Sequence, residues 1–129
     1  MQPDFSGVWR VDFSRSLIHG EPPRAVRMVI DHVGDILRQE VIAHRSTGEE
    51  SATFVYDISR ETTNFLRGIP MVTKQRWEGD ILIIEGTIES PAKHLWVKDH
   101  WFLAESGKTL IMEHRDDDLA GQRSVMVRD

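Results

Sequence analysis

The sequence predicts an all-β protein closed into an antiparallel up-and-down barrel of about 8–10 strands. Three observations predict it. Val, Ile and Thr total 29 residues against 14 for Leu and Ala, and β-branched side chains fit a pleated sheet where Leu and Ala favour helix. Short segments of alternating apolar character recur between turn signals along the whole chain. The connections between them are brief, which suits pairing of sequential neighbours in a barrel rather than the longer crossovers of a two-sheet sandwich. The 129 residues are expected to form one domain spanning 1–129, burying roughly two thirds of the chain's surface around a single core.

Composition excludes several classes of function. There is no cysteine, so a disulfide framework, a thiol nucleophile and a thiolate zinc site are all excluded. The formal net charge is −5 with interspersed signs, which offers no basic footprint for a nucleic-acid partner or an anionic membrane surface. Uninterrupted apolar runs last only a few residues, so no membrane span is expected. The stretch from Met1 to Gly7 lacks the basic and apolar regions of a secretory leader. A cytoplasmic address is therefore expected, and a secreted or periplasmic one only if a leader precedes this sequence.

Strand-like segments fall at 7–13, 25–33, 36–44, 50–58, 70–78, 81–89, 94–104, 109–116 and 123–128. Ser14 to Pro23 ends in two prolines and cannot hold a long helix. Ser59 to Gly68 is given no strand. Two hairpins share Gly-Asp-Ile-Leu, at Gly34 to Leu37 and Gly79 to Leu82. Gly supplies the positive φ that a two-residue primed turn needs. A longer loop over Glu105-Ser-Gly-Lys108 is expected to place its Gly in the left-handed region.

The turns make the first two hairpins solvable. A turn at Gly34-Asp35 puts Val26, Met28, Ile30 and His32 opposite Ala43, Val41, Gln39 and Leu37, the expected interior face. The other face pairs Asp31 with Arg38 and sets Arg27 diagonal to Glu40, a solvated arrangement. Around Gly79-Asp80 the interior face pairs Trp77 with Leu82, Gln75 with Ile84, Thr73 with Gly86 and Met71 with Ile88, while Lys74 meets Glu85 outside. In 94–104 two parities compete. One sets Trp96, Lys98, His100 and Phe102 together; the other sets Leu95, Val97, Trp101 and Leu103.

Phe5-Ser-Gly-Val-Trp9 resembles the Gly-x-Trp first strand of the calycin superfamily, which joins lipocalins and fatty-acid-binding proteins. Asp12, Ser16, the Trp77-Glu-Gly-Asp-Ile-Leu82 hairpin and Ser106-Gly-Lys-Thr-Leu110 make the chain similar to bacterial lipocalin-like domains over nearly its full length. The resemblance implies a barrel with a pocket. It also implies that Trp9 packs at the closed end under an arginine of a late strand, with Arg115, Arg123 and Arg128 all eligible. The helix-turn-helix lid of fatty-acid-binding proteins has no room between Ser14 and Pro23.

An interior that is apolar with a few placed polar groups points to binding of a small, mainly hydrophobic molecule. The expected lining is Met28, His32, Gln39, Phe54, Tyr56, Gln75, Trp77, His100, Trp101 and Met112. No cofactor and no metal are expected, because none of the six histidines stands in a metal-binding spacing. An enzyme of isomerase or decarboxylase type, using His32 or His100 as general base with Gln39 orienting substrate, is the alternative. A haem-binding barrel with one histidine ligand is another. The run Asp116-Asp117-Asp118 lacks the spacing of a calcium loop and reads as a solvated turn. Apolar residues left on outward faces (Val29, Val33, Ile36, Ile42) would allow a homodimer.

Overall fold

The two Gly-Asp turns set the frame of the fold, and the registers they dictate are the ones observed. The computed structural model describes residues 2–18, 20–91, 93–117 and 121–129. Among them run ten strands: β1 Gly7–Val11, β2 Ala25–Val33, β3 Ile36–Arg45, β4 Gly48–Asp57, β5 Thr62–Leu66, β6 Ile69–Glu78, β7 Ile81–Ser90, β8 Lys93–Ala104, β9 Thr109–Asp116 and β10 Gln122–Arg128. All pairings are antiparallel, in the order β4-β3-β2-β1-β10-β9-β8-β7-β6-β5. The first and last strands of that order meet, so the sheet curls into a nearly closed up-and-down barrel. No helix among the described residues is long and apolar enough to cross a membrane.

β2 and β3 pair Met28 with Val41, Ile30 with Gln39 and His32 with Leu37. β6 and β7 pair Trp77 with Leu82, Gln75 with Ile84, Thr73 with Gly86 and Met71 with Ile88. Gly34 and Gly79 hold φ of 60° and 63°, the sign a tight hairpin turn demands. Gly107, in the short 3-10 turn Glu105–Gly107, holds φ of 83°. Outside, Asp31 does oppose Arg38 and Lys74 opposes Glu85. The ion pair at Glu85, however, is made by Arg76 at 3.0 Å, with Trp96 Nε1 donating at 3.1 Å. The guanidinium fork reaches a diagonal carboxylate that a point-like ammonium does not hold in one geometry.

β5 is the strand that sequence reasoning left out. It is five residues long and Thr-rich, and it pairs with β6 alone. Its other edge faces β4 across a seam without a backbone ladder. Side chains bridge that seam. The Asn64 amide oxygen accepts from Val55 N–H at 2.8 Å and its Nδ2 donates to Val55 C=O at 2.9 Å, so one buried amide substitutes for a strand's peptide group. Gln75 Nε2 reaches Asp57 C=O and Thr62 Oγ1, both at 2.8 Å, and Arg60 C=O at 3.1 Å. The Thr73 hydroxyl donates to the Gln75 amide oxygen. Asn64→Leu keeps the volume and removes both seam bonds, leaving two backbone groups without partners. It is expected to cost about 1–3 kcal/mol, measured as a lower urea midpoint at unchanged m.

One end of the barrel is sealed by aromatic packing. Phe5 is fully buried and stacks on His32 at 5.7 Å and on Trp77 at 5.8 Å, with Trp101 edge-on at 6.1 Å. Trp9 Nε1 donates to Phe5 C=O at 3.0 Å. Of the three eligible arginines, Arg128 takes the place above Trp9, its guanidinium 4.2 Å from the ring centroid. Gly7 holds φ of +145°, a conformation L side chains rarely adopt, and a Cβ there would also stand 2.6 Å from Arg128 Nη1. Leu37, Leu82, Leu110 and Met126 fill the space beneath.

Candidate functional site

Above this seal the interior opens into a cavity of about 380 Å³. Strand alternation decides its lining: residues two apart on each strand face inward. β2, β3 and β4 supply Met28, Gln39, Phe54 and Tyr56; β6 to β8 supply Met71, Thr73, Ile84, Ile88, Val97, Asp99 and Trp101. β9 and β10 supply Met112, His114, Asp116, Gln122 and Ser124.

Six of the ten residues expected from sequence therefore meet at the cavity: Met28, Gln39, Phe54, Tyr56, Trp101 and Met112. His32 and Trp77 belong instead to the seal. The His32 side chain is 8% exposed, and its Nδ1 accepts from Phe5 N–H at 3.3 Å, with Trp77 stacked at 6.1 Å. Gln75 faces inward, but its amide is committed to the seam. His100 requires a correction: it lies on the outer face, paired with Ile83 and Glu113. The reason is parity. Trp101 pairs with Leu82 and Met112 and is buried at 1% exposure, so its sequence neighbour must point out. His100 and His114 consequently lie on opposite faces of the sheet.

The same parity puts Asp99 inside, a residue that sequence reasoning did not single out. Asp99 is the cross-strand partner of His114, and Asp116 lies two residues further along the same face. His114 Nδ1 lies 2.5 Å from Asp99 Oδ1, and Nε2 lies 3.0 Å from Asp116 Oδ2. The hydrogen bond to Asp99 is the largest influence on the imidazole and raises its pKa; burial opposes this, and the charges of both aspartates add to the rise. The result is about 9, so the ring is an imidazolium at neutral pH, donating from both nitrogens. Asp116 is thus an interior residue, not part of a solvated turn. Asp117 lies outside and accepts from Trp96 N–H at 3.0 Å, and Asp118 falls outside the described residues.

Two further polar groups face the cavity deeper in. Tyr56 is 4% exposed and Gln39 is 5% exposed. Among the described residues no group partners the Tyr56 hydroxyl. Burial, with the charge of Asp99 adding to it, pushes that hydroxyl above its ordinary pKa. Gln39 Nε2 has only the Met28 sulfur, at 3.3 Å, a weak acceptor. Its amide oxygen has no protein donor among the described residues. The Trp101 indole N–H is buried without an acceptor as well. Buried polar groups are ordinarily satisfied; here the Tyr56 hydroxyl and the Gln39 amide oxygen line the cavity with no protein partner among the described residues, and the Trp101 indole N–H is buried without one.

The assembled fold is shared with known structures. A secretory abundant heat soluble protein of Ramazzottius varieornatus superposes with a TM-score of 0.73 at 12% identity, over 99% of this chain and 98% of that one. Lipid binding protein 8 of Caenorhabditis elegans gives 0.72 at 11% identity, over 97% and 95%. A fatty-acid-binding protein of Schistosoma mansoni, solved with arachidonic acid, gives 0.62 at 11%, over 97% and 96%. What the chain shares with these structures is the antiparallel up-and-down β-barrel fold. No sequence-family model matches the chain, and no curated protein matches it at a significant level. Among the described residues, no group of three or more His, Asp or Glu side chains is arranged to hold a metal ion.

Proposed function

We propose that this barrel binds a small, mainly hydrophobic molecule in its interior. The observation that carries the reading is the cavity of about 380 Å³, mostly apolar in its lining yet holding the unpartnered Tyr56 hydroxyl and Gln39 amide. That size and that chemistry are typical of small-molecule sites, where a few polar groups orient an otherwise apolar ligand. The structural neighbours that include a lipid-binding protein and a fatty-acid-binding protein support it. The geometry does not favour the catalytic alternative. His32 is part of the seal, His100 is outside, and His114 has both nitrogens occupied, so among the described residues no imidazole is free to take a proton inside the cavity. The same occupation leaves no ring nitrogen among the described lining residues to ligate haem.

Nile red, a neutral solvent-sensitive dye, tests the proposal. Binding should shift its emission to the blue, and Ser124→Phe, which fills the cavity from β10, should weaken it at least about tenfold. Mass spectrometry of organic extracts should recover an apolar small molecule from the wild-type protein. Absence of dye binding together with an empty extract would sink the reading.

A further inference from the structure

Two unmet polar side chains in the cavity wall constrain the ligand's polar end. We propose that the cavity selects amphiphiles whose head is uncharged and both donates and accepts a hydrogen bond, a long-chain alcohol foremost, and that Tyr56 and Gln39 read that head. This rests on the barrel binding an apolar molecule at all.

β3 and β4 pair Leu37 with Tyr56 and Gln39 with Phe54, so Gln39 and Tyr56 are diagonal neighbours on the inward face. Diagonal positions lie about 7–8 Å apart, within reach of long side chains. Both residues are more than nine-tenths buried, and both line the cavity. Gln39 holds its amide nitrogen against the Met28 sulfur, which leaves the amide oxygen as an acceptor with nothing to accept. The Tyr56 hydroxyl carries a proton to donate, and burial keeps that proton on the oxygen. A ligand hydroxyl meets both needs at one atom, donating to Gln39 and accepting from Tyr56. An ether only accepts, so it leaves the Gln39 oxygen unmet. A site with buried polar groups penalises the ligand that fails to pair them. An ionised head fares worse, because a buried charge is costly unless an opposite charge meets it. Tyr56 and Gln39 are neutral and supply none. Among the described lining residues there is no arginine and no lysine, and both nitrogens of His114 are taken by Asp99 and Asp116.

Four competitors that share a decyl chain separate the possibilities: decanol, its methyl ether, decanoate and decylamine, each displacing Nile red at neutral pH. Decanol should bind at least about tenfold more tightly than each of the others. Two variants then divide the recognition, each removing one polar group at nearly constant volume, with Nile red affinity measured directly in each as the baseline. In Gln39→Met the alcohol should fall to within about threefold of its ether, because the acceptor that told them apart is gone. In Tyr56→Phe the alcohol and the ether should both weaken, each at least about fivefold, because both lose the same donor. Decanoate or decylamine binding as tightly as decanol would overturn the head-group selection while leaving the cavity reading intact. An ether that matches the alcohol in the wild-type protein, or an alcohol preference that survives Gln39→Met, would overturn it too. Unchanged decanol affinity in Tyr56→Phe would do the same. Failure of Nile red and all four competitors to bind would remove the cavity reading and this inference together.

Discussion

Gly86→Ala is expected to destabilise the protein by about 3 kcal/mol or more, seen as a large fall in the urea midpoint. A Cβ at position 86 would stand 1.8 Å from the Val72 carbonyl oxygen and 2.7 Å from Thr73 Cα. These are backbone atoms and cannot swing aside as a flexible side chain would. Relieving the clash means parting β6 from β7 in the middle of a ladder that runs from Met71–Ile88 to Glu78–Ile81. Thr73 sits at that point and its hydroxyl holds Gln75, so the displacement also loosens the seam beside β5. Gly79→Ala is the matched control. Nothing lies within 4 Å of a Cβ there and φ is +63°, so only the left-handed backbone is penalised, by about 1–2 kcal/mol. A loss at Gly86 no larger than that at Gly79 would refute the close approach.

His114 should titrate near 9 in the folded protein, followed by its ring resonances in NMR. In Asp99→Asn the strongest contribution to that value is removed, and the midpoint should fall toward the ordinary histidine value of about 6.5. Stability follows with a definite sign. The folded state holds a proton that the unfolded chain releases at lower pH, so the contribution is complete below about 6.5 and disappears as pH rises through about 9. The groups facing the ring are Asp99 from β8, Asp116 from β9 and the amide of Gln122, its partner on β10. Wild-type stability measured against His114→Asn should therefore show a difference that shrinks between about pH 6.5 and 9. Parallel curves across that window would contradict the buried ion cluster.

How much of this was legible in the sequence depended on the range of the interaction that set it. The Gly34-Asp35 and Gly79-Asp80 turns are local. Once a two-residue turn is recognised, every pair in the hairpin follows, because side chains alternate and a one-residue slip would turn the apolar face outward. That is why Met28, Gln39, Thr73 and Ile84 can be assigned to the interior face from the sequence alone. β8 illustrates the opposite. Trp96, Trp101 and Phe102 cannot share a face, so its aromatic residues contradict one another, and His100 was left eligible for the interior. The aliphatic alternation of Leu95, Val97, Trp101 and Leu103 carried the answer. It implies Asp99 inside, and a four-residue loop over 105–108 then pairs Ala104 with Thr109 and Asp99 with His114.

β5 was missed for a different reason. Thr62 to Leu66 is brief and interrupted by Asn64, a residue that ordinarily signals a turn. Here the amide is turned sideways into a strand-like role, a use that exists only because β4 stands across the gap. Gln75 is a parallel case. As a glutamine on an apolar face it looked like a ligand contact, and its actual partners, Asp57, Arg60 and Thr62, come from a connection that folds over it.

The sequence by itself determined the fold class, the hairpin registers and the inner face of β2, β3, β6 and β7, because alternation and turn chemistry act over a few residues. It also marked the glycine before Val8 and Trp9, though not which arginine packs over Trp9. Tertiary structure decided where the barrel is plugged and where it is hollow. Phe5, His32 and Trp77 come together only when the chain's start crosses the barrel end, and that crossing moves the cavity toward Asp99, His114 and Asp116. An imidazolium held between two carboxylates depends on strands meeting across β8 and β9, and no stretch of one strand carries that information.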